Sequence, residues 1–229
     1  FSSAKIDKLC YFASEIFFFS MKDKIKNIIF DFGGVVFQID ERRTIDAFSQ
    51  LFQCSGKQVL DYLFSNDLFL SFECGKITPD DFLSHLQSLA PQPVTKEQVL
   101  AAWNAILVGY PKEHIPLLLA LKKKYRTFLL SNTNEIHTGE FVKMVEKHNL
   151  PISAKYDLFE KVWYSNELGM RKPNPDIFKY VLRDADIVPE ETLFVDDLQE
   201  NLDAASSLGI HTHRITKECG ILDLFHTWI

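Results

Sequence analysis

Asp31 ends the apolar run Ile28-Ile29-Phe30 and is followed at once by Phe32, Gly33 and Gly34. Aspartate is disfavoured in strands and costly to bury without partners, so a strand that finishes on one is presenting its carboxylate. Standing alone, this residue would read as a solvated acid opening a glycine-rich turn. Three further groups give it chemical company. Thr127-Phe128-Leu129-Leu130 leads into Ser131-Asn132-Thr133-Asn134, where a hydroxyl and successive backbone amides can donate to phosphate oxygens. By themselves Ser and Asn after a strand are ordinary turn residues. Lys172 lies in the loop Gly169-Met170-Arg171-Lys172-Pro173-Asn174-Pro175, and its compact ammonium can neutralise both an attacking carboxylate and the group under attack. We expect its neighbour Arg171 to be solvated. Leu193-Phe194-Val195 ends on the pair Asp196-Asp197. Two such acids beside Asp31 would raise one another's pKa unless a cation compensates, and Mg²⁺ is the natural one.

These groups need a scaffold that brings strand ends together. Strand-like runs at 27–31, 126–131, 161–164, 192–196 and 210–214 alternate with helical patterns at 112–124, 137–148 and 175–184, the signature of a parallel sheet covered by helices. In the helix after the fourth run, Leu198, Leu202, Ala205 and Leu208 form one apolar stripe, with Gly209 as its stop. The expected fold class is α/β, a Rossmann-like, doubly wound parallel sheet whose strand ends hold the ligand site. The interval between the first two strands is far longer than a single crossover helix needs. We therefore expect an inserted helical module at 41–108 on a core formed by 21–40 and 109–229. Within it, Thr78-Pro79-Asp80-Asp81 and Thr95-Lys96-Glu97-Gln98 read as helix starts, the second as a capping box. No strand-period segment is convincing there.

A chain of 229 residues with 46% hydrophobic content is long enough for a substantial core. Its net charge of −6 argues against a sequence-independent nucleic-acid binder. Cys10, Cys54, Cys74 and Cys219 form no CxxC pair, so neither zinc nor a disulfide framework is expected and a reducing cytoplasm is the simplest setting. The aromatic stretch before Met21 is too short for a membrane span and lacks a signal-cleavage pattern. We expect residues 1–20 to be either upstream translation or a peripheral extension, and no membrane partner. The seven histidines show no metal spacing on one helix face, and His211 and His213 are expected on one side of an edge strand.

Asp31, Ser131, Lys172 and Asp196-Asp197, in that order and at those strand ends, resemble the four motifs of the haloacid dehalogenase superfamily from about Lys24 to the end of the chain. The insert between the first and second motifs resembles the helical cap called type C1. The stretches Asp31-Phe-Gly-Gly-Val-Val, Phe72-Glu-Cys-Gly-Lys-Ile-Thr, Leu130-Ser-Asn-Thr-Asn and Gly169-Met-Arg-Lys-Pro are most similar to sugar-phosphate phosphatases. The resemblance implies that Asp31 attacks phosphorus to give an aspartyl-phosphate, with Ser131, Asn132 and Lys172 on the phosphate. It further implies that Mg²⁺ is held by Asp31, the carbonyl of Gly33 and Asp196. Asp197 would hold a metal-bound water or orient Lys172, and Asn201 would support that loop. The expected partner is a small-molecule phosphate ester, with the chain a monomer or weak homodimer. Substrate choice is expected in the cap, around Phe72-Glu73-Cys74-Gly75-Lys76.

One departure stands out. Most phosphatases of the superfamily carry a second Asp two residues after the nucleophile, and here that place is Gly33. General acid–base assistance is worth about 10² to 10⁴-fold, so its loss implies an easy leaving group, a substitute residue or low activity; the anomeric oxygen of a sugar 1-phosphate is such a leaving group. Dehalogenases of the superfamily also lack that acid and attack carbon, which makes a 2-haloacid dehalogenase the rival reading; they typically carry Ser in place of Asp196. A catalytically silent binding or regulatory protein is the third reading, supported by Gly33 alone.

Overall fold

The computed structural model describes residues 22–65, 67–147 and 157–229. The stretch 1–20 lies outside them. Five parallel strands make the central sheet: β1 (Asn27–Phe30), β4 (Arg126–Ser131), β5 (Lys161–Tyr164), β6 (Thr192–Asp196) and β7 (His211–Arg214), in the order β5-β4-β1-β6-β7. β1 is central because its four residues, Asn-Ile-Ile-Phe, are all buried and can pack on both faces. Alternate residues separate cleanly. Ile28, Phe30, Leu129, Leu193 and Val195 face one apolar cluster, while Ile29, Phe128, Leu130 and Phe194 face the other.

Helices close both faces. The first cluster takes α6 (His114–Lys122), α7 (Glu135–Lys147) and α11 (Ile221–Phe225); the second takes α9 (Pro175–Ala185) and α10 (Gln199–Ser206). The strand expectations hold to within a residue. The stripe on α10 holds only in part: Leu202 and Ala205 are buried, but Leu198 is the N-cap and stays 49% exposed. A residue before the first turn lies off the helical face that the 3.6-residue period predicts.

Between β2 (Gln38–Ile39) and β3 (Leu107–Gly109) the chain forms α1 (Glu41–Phe52), α2 (Gly56–Ser65), α3 (Leu68–Glu73), α4 (Pro79–Ser88) and α5 (Lys96–Asn104). These helices gather a third apolar cluster, built on Phe48, Phe52, Phe72, Phe82, Leu86 and Trp103. The helix starts are chemically as expected. Thr78 Oγ1 accepts from the Asp81 amide with Pro79 in the first turn, and Thr95 and Gln98 form the reciprocal capping box. The expectation of no strand in 41–108 needs correction, since β3 begins at Leu107 and pairs antiparallel with β2. A two- or three-residue strand is too short to show alternation in sequence. That ladder places both chain crossings of the helical module beside the turn that follows β1.

Candidate active site

Asp31 directly follows β1, Ser131 is the last residue of β4 and Asp196 the last of β6, so adjacent parallel strands deliver them to one sheet edge. The Asp31 amide donates to the Val195 carbonyl at 2.8 Å, which extends the ladder and fixes the carboxylate at its end. The turn beyond it is tight. Gly34 has φ +83°, and a Cβ there would lie 2.7 Å from Asp197 Oδ2, so this position needs glycine twice over.

Lys172 is the hub. It is 1% exposed, and its ammonium donates to Asp31 Oδ1 at 2.6 Å, Asp196 Oδ2 at 2.7 Å and the Leu130 carbonyl at 2.9 Å. Three protons meet three acceptors. Burial alone would favour the neutral amine, but Asp31 and Asp196 outweigh it and hold the Lys172 pKa above its ordinary value. The loop carrying Lys172 is tied to the strand end by Asn132, whose side-chain amide donates to the Lys172 carbonyl and accepts from the Lys172 amide, both at 2.9 Å. Asn132 thus positions Lys172 with its side chain. Ser165 ties the same loops further along, taking the Thr133 amide and giving its own proton to the Thr133 carbonyl.

Asp31, Asp196 and Asp197 bring carboxylate oxygens within 4.8 Å of one another. Burial raises the Asp31 pKa to about 7, with Lys172 opposing and Asp196 and Asp197 adding to the rise. Asp197 is raised by burial and by Asp196. Three carboxylates against one ammonium is an arrangement that a divalent cation would complete, and hard oxygen donors suit Mg²⁺. The two motif-end acids differ sharply. Asp196 is saturated: its Oδ1 accepts from the Leu198 amide and Asn201, its Oδ2 from Lys172 and Asn201. Asn201 therefore supports the strand end, as expected. Lys172 donates no hydrogen bond to Asp197; the carboxylates that hold its ammonium are Asp31 and Asp196.

Arg171 is the more exposed of the pair, its side chain 28% exposed against 1% for Lys172, yet it is not free in solvent: its Nε donates at 2.9 Å to Oε2 of Glu73, at the end of α3, a carboxylate that is itself buried. Sequence reasoning quoted Glu73 within a motif but had no signal for its partner 98 residues away. His211 and His213 stand two apart on β7, an edge strand.

The haloacid dehalogenase-like hydrolase family model matches residues 25–209. The chain belongs to this family. A D-ribitol-5-phosphate phosphatase of Bacteroides thetaiotaomicron is 33% identical over 189 residues, covering 82% of this chain and 90% of that one. A solved enzyme of the family from the same organism, in complex with magnesium and inorganic phosphate, is 40% identical, with a TM-score of 0.73 over 84% of this chain and 94% of that one. An L-2-haloacid dehalogenase of Xanthobacter autotrophicus shares the fold at 21% identity, with a TM-score of 0.54 over 85% of this chain and 80% of that one. The chain is accordingly a hydrolase with the family's Rossmann-like fold.

Proposed function

We propose that the protein is a Mg²⁺-dependent phosphatase of a small phosphate monoester, a phosphorylated sugar or sugar alcohol, acting through an aspartyl-phosphate on Asp31. The observation that carries this reading is the buried ammonium of Lys172 bridging Asp31 and Asp196. The phosphatase names and the magnesium–phosphate complex among the relatives support it. Asp31 attacks phosphorus through a carboxylate oxygen, the bond from phosphorus to the ester oxygen breaks, and the departing oxygen takes its proton from water, since residue 33 offers no acid. Water then attacks the aspartyl-phosphate, releasing phosphate and restoring the carboxylate.

Lys172 neutralises charge on Asp31 and on the transferring group, and Ser131 with the backbone amides after it receives phosphate oxygens. Asp31, the Gly33 carbonyl and Asp197 would hold Mg²⁺. Asp197 takes the direct role expected of Asp196, because Asp196 is already held by Lys172, Asn201 and the Leu198 amide. When bound, the ion supplies charge neutralisation and orientation for the phosphoryl group.

The test is phosphate release from a panel of sugar and sugar-alcohol phosphates with Mg²⁺. Chelator and Asp31→Asn should each lower turnover by more than about a thousandfold, as loss of a nucleophile does. Turnover that survives both refutes the mechanism. Chloride or fluoride release from 2-haloacids without metal would transfer the assignment to a dehalogenase, and inactivity in both assays to a silent scaffold.

A further inference from the structure

We propose that Glu73 is a positioning residue: its ion pair with Arg171 latches the helical module over the strand ends and couples that closure to the placement of Lys172. The inference rests on the phosphatase reading for its kinetic consequence, though not for its structural one. Arg171 directly precedes Lys172, so a carboxylate that fixes Arg171 restrains the backbone from which the ammonium reaches Asp31 and Asp196. Asn132 grips Lys172 from the sheet side. Glu73 grips the preceding residue from the module.

The contact around the pair is close. Gly75, two residues on, has φ +64°, and a Cβ there would come 2.2 Å from the Asn166 carbonyl, so the module's turn lies directly on the short helix Ser165–Leu168 after β5. Beneath it the reactive groups are shut in, with Asp31 8% and Lys172 1% exposed. Lifting the module would uncover them further, and lifting separates Glu73 from Arg171. In the closed arrangement the Glu73 side chain is only 8% exposed and is compensated by Arg171. Removing Arg171 strands the buried Glu73 carboxylate, and removing Glu73 releases Arg171; either loss penalises the closed state more than the open one, where water takes over. The pair thus makes closure depend on the same segment that carries Lys172.

The experiment compares wild type with Glu73→Gln, Arg171→Met and the double variant. One readout needs no substrate: the rate at which iodoacetamide labels Cys74, next to Glu73, resolved from the other cysteines by peptide mass. Labelling should be several-fold faster in each variant than in wild type. The other readout is kinetic. Each single variant should lose kcat by about 10- to 100-fold, the cost of a misplaced catalytic group, with KM changed by less than about twofold, and the double variant should be no worse than the worse single one. Arg171→Lys, which keeps charge but not fork geometry, carries the test should Glu73→Gln fail to fold. Unchanged Cys74 labelling overturns the latch. Unchanged kcat, or losses that multiply in the double variant, overturn the coupling to Lys172. A wild type that hydrolyses no phosphate ester refutes the phosphatase reading instead, and the labelling still judges the latch.

Discussion

Gly33 tolerates a β-carbon: a Cβ there meets nothing closer than Ile39 Cδ1 at 3.4 Å, an ordinary contact, and the backbone is not in the left-handed region. The missing acid is therefore a matter of residue identity and not of space. Gly33→Asp should install a proton donor for the leaving oxygen two residues beyond the nucleophile. The gain should appear where the leaving group is poor. For an alkyl phosphate we expect kcat to rise by about 10- to 100-fold, the lower part of what general acid catalysis supplies, while an aryl phosphate with an acidic leaving phenol changes little. An alkyl-to-aryl rate ratio that stays at the wild-type value would show that Gly33 marks no missing acid. At this scale the convergence of Asp31, Ser131, Lys172 and Asp196 was legible, because strand ends of a parallel sheet meet at one edge whatever the details. The hydrogen bonding that sets Asp196 apart from Asp197 was not. It depends on which carboxylate faces Lys172, Asn201 and the Leu198 amide, and adjacent residues of one type carry no sequence signal for that.

Between elements, the most informative contact joins α7 to α5. His137 stacks on Trp103 with ring centroids 5.3 Å apart, its backbone amide donates to Asn134 Oδ1 at 3.1 Å, and burial drives its pKa from 6.5 down to about 4. The sign follows from proton uptake. Between about pH 6.5 and 4 the unfolded chain binds a proton that the folded chain refuses, so acidification through this window removes stability. His213 is likewise lowered to about 4 and acts in the same direction, whereas Asp31, raised to about 7, acts oppositely. Comparison with His137→Phe, which keeps a ring against Trp103, isolates the one group. The stability of wild type relative to this variant should fall by up to about 1.4 kcal/mol per pH unit between pH 6.5 and 4, read from urea midpoints; a pH-independent difference would mean that His137 titrates normally. Elements themselves were readable wherever period or capping chemistry was strong, as in β1, β4, β6 and the starts of α4 and α5. They failed where an element was two or three residues long, as in β2 and β3, or where a leucine fell one residue outside its helix, as Leu198 does.

Across the whole molecule the apolar residues divide into three clusters, two sandwiching the sheet and one enclosed by α1 to α5. A cluster with its own buried centre can lose order without dismantling the others, and sub-global opening of this kind is visible in native-state hydrogen exchange. Two crossings beside β2 and β3, the Glu73–Arg171 pair and the Trp103–His137 stack tie the helical module to the sheet. Those ties are few beside the five-stranded ladder, in which β1 pairs on both sides. Leu86, fully buried in the third cluster on α4, gives a clean test. Leu86→Ala should cost about 2 to 5 kcal/mol by leaving a cavity. If the module opens as a unit, amides of α1, α4 and α5 should exchange faster by the corresponding factor, and amides of β1, β4 and β6 should keep their wild-type rates under conditions where exchange precedes global unfolding. Equal acceleration in helices and sheet would show instead that the molecule unfolds as one body. In that case the module would have to move by a rigid swing about Gln38–Asp40 and Gly109–Pro111, with the helices intact, to uncover Asp31 and Lys172, which are 8% and 1% exposed while it is closed.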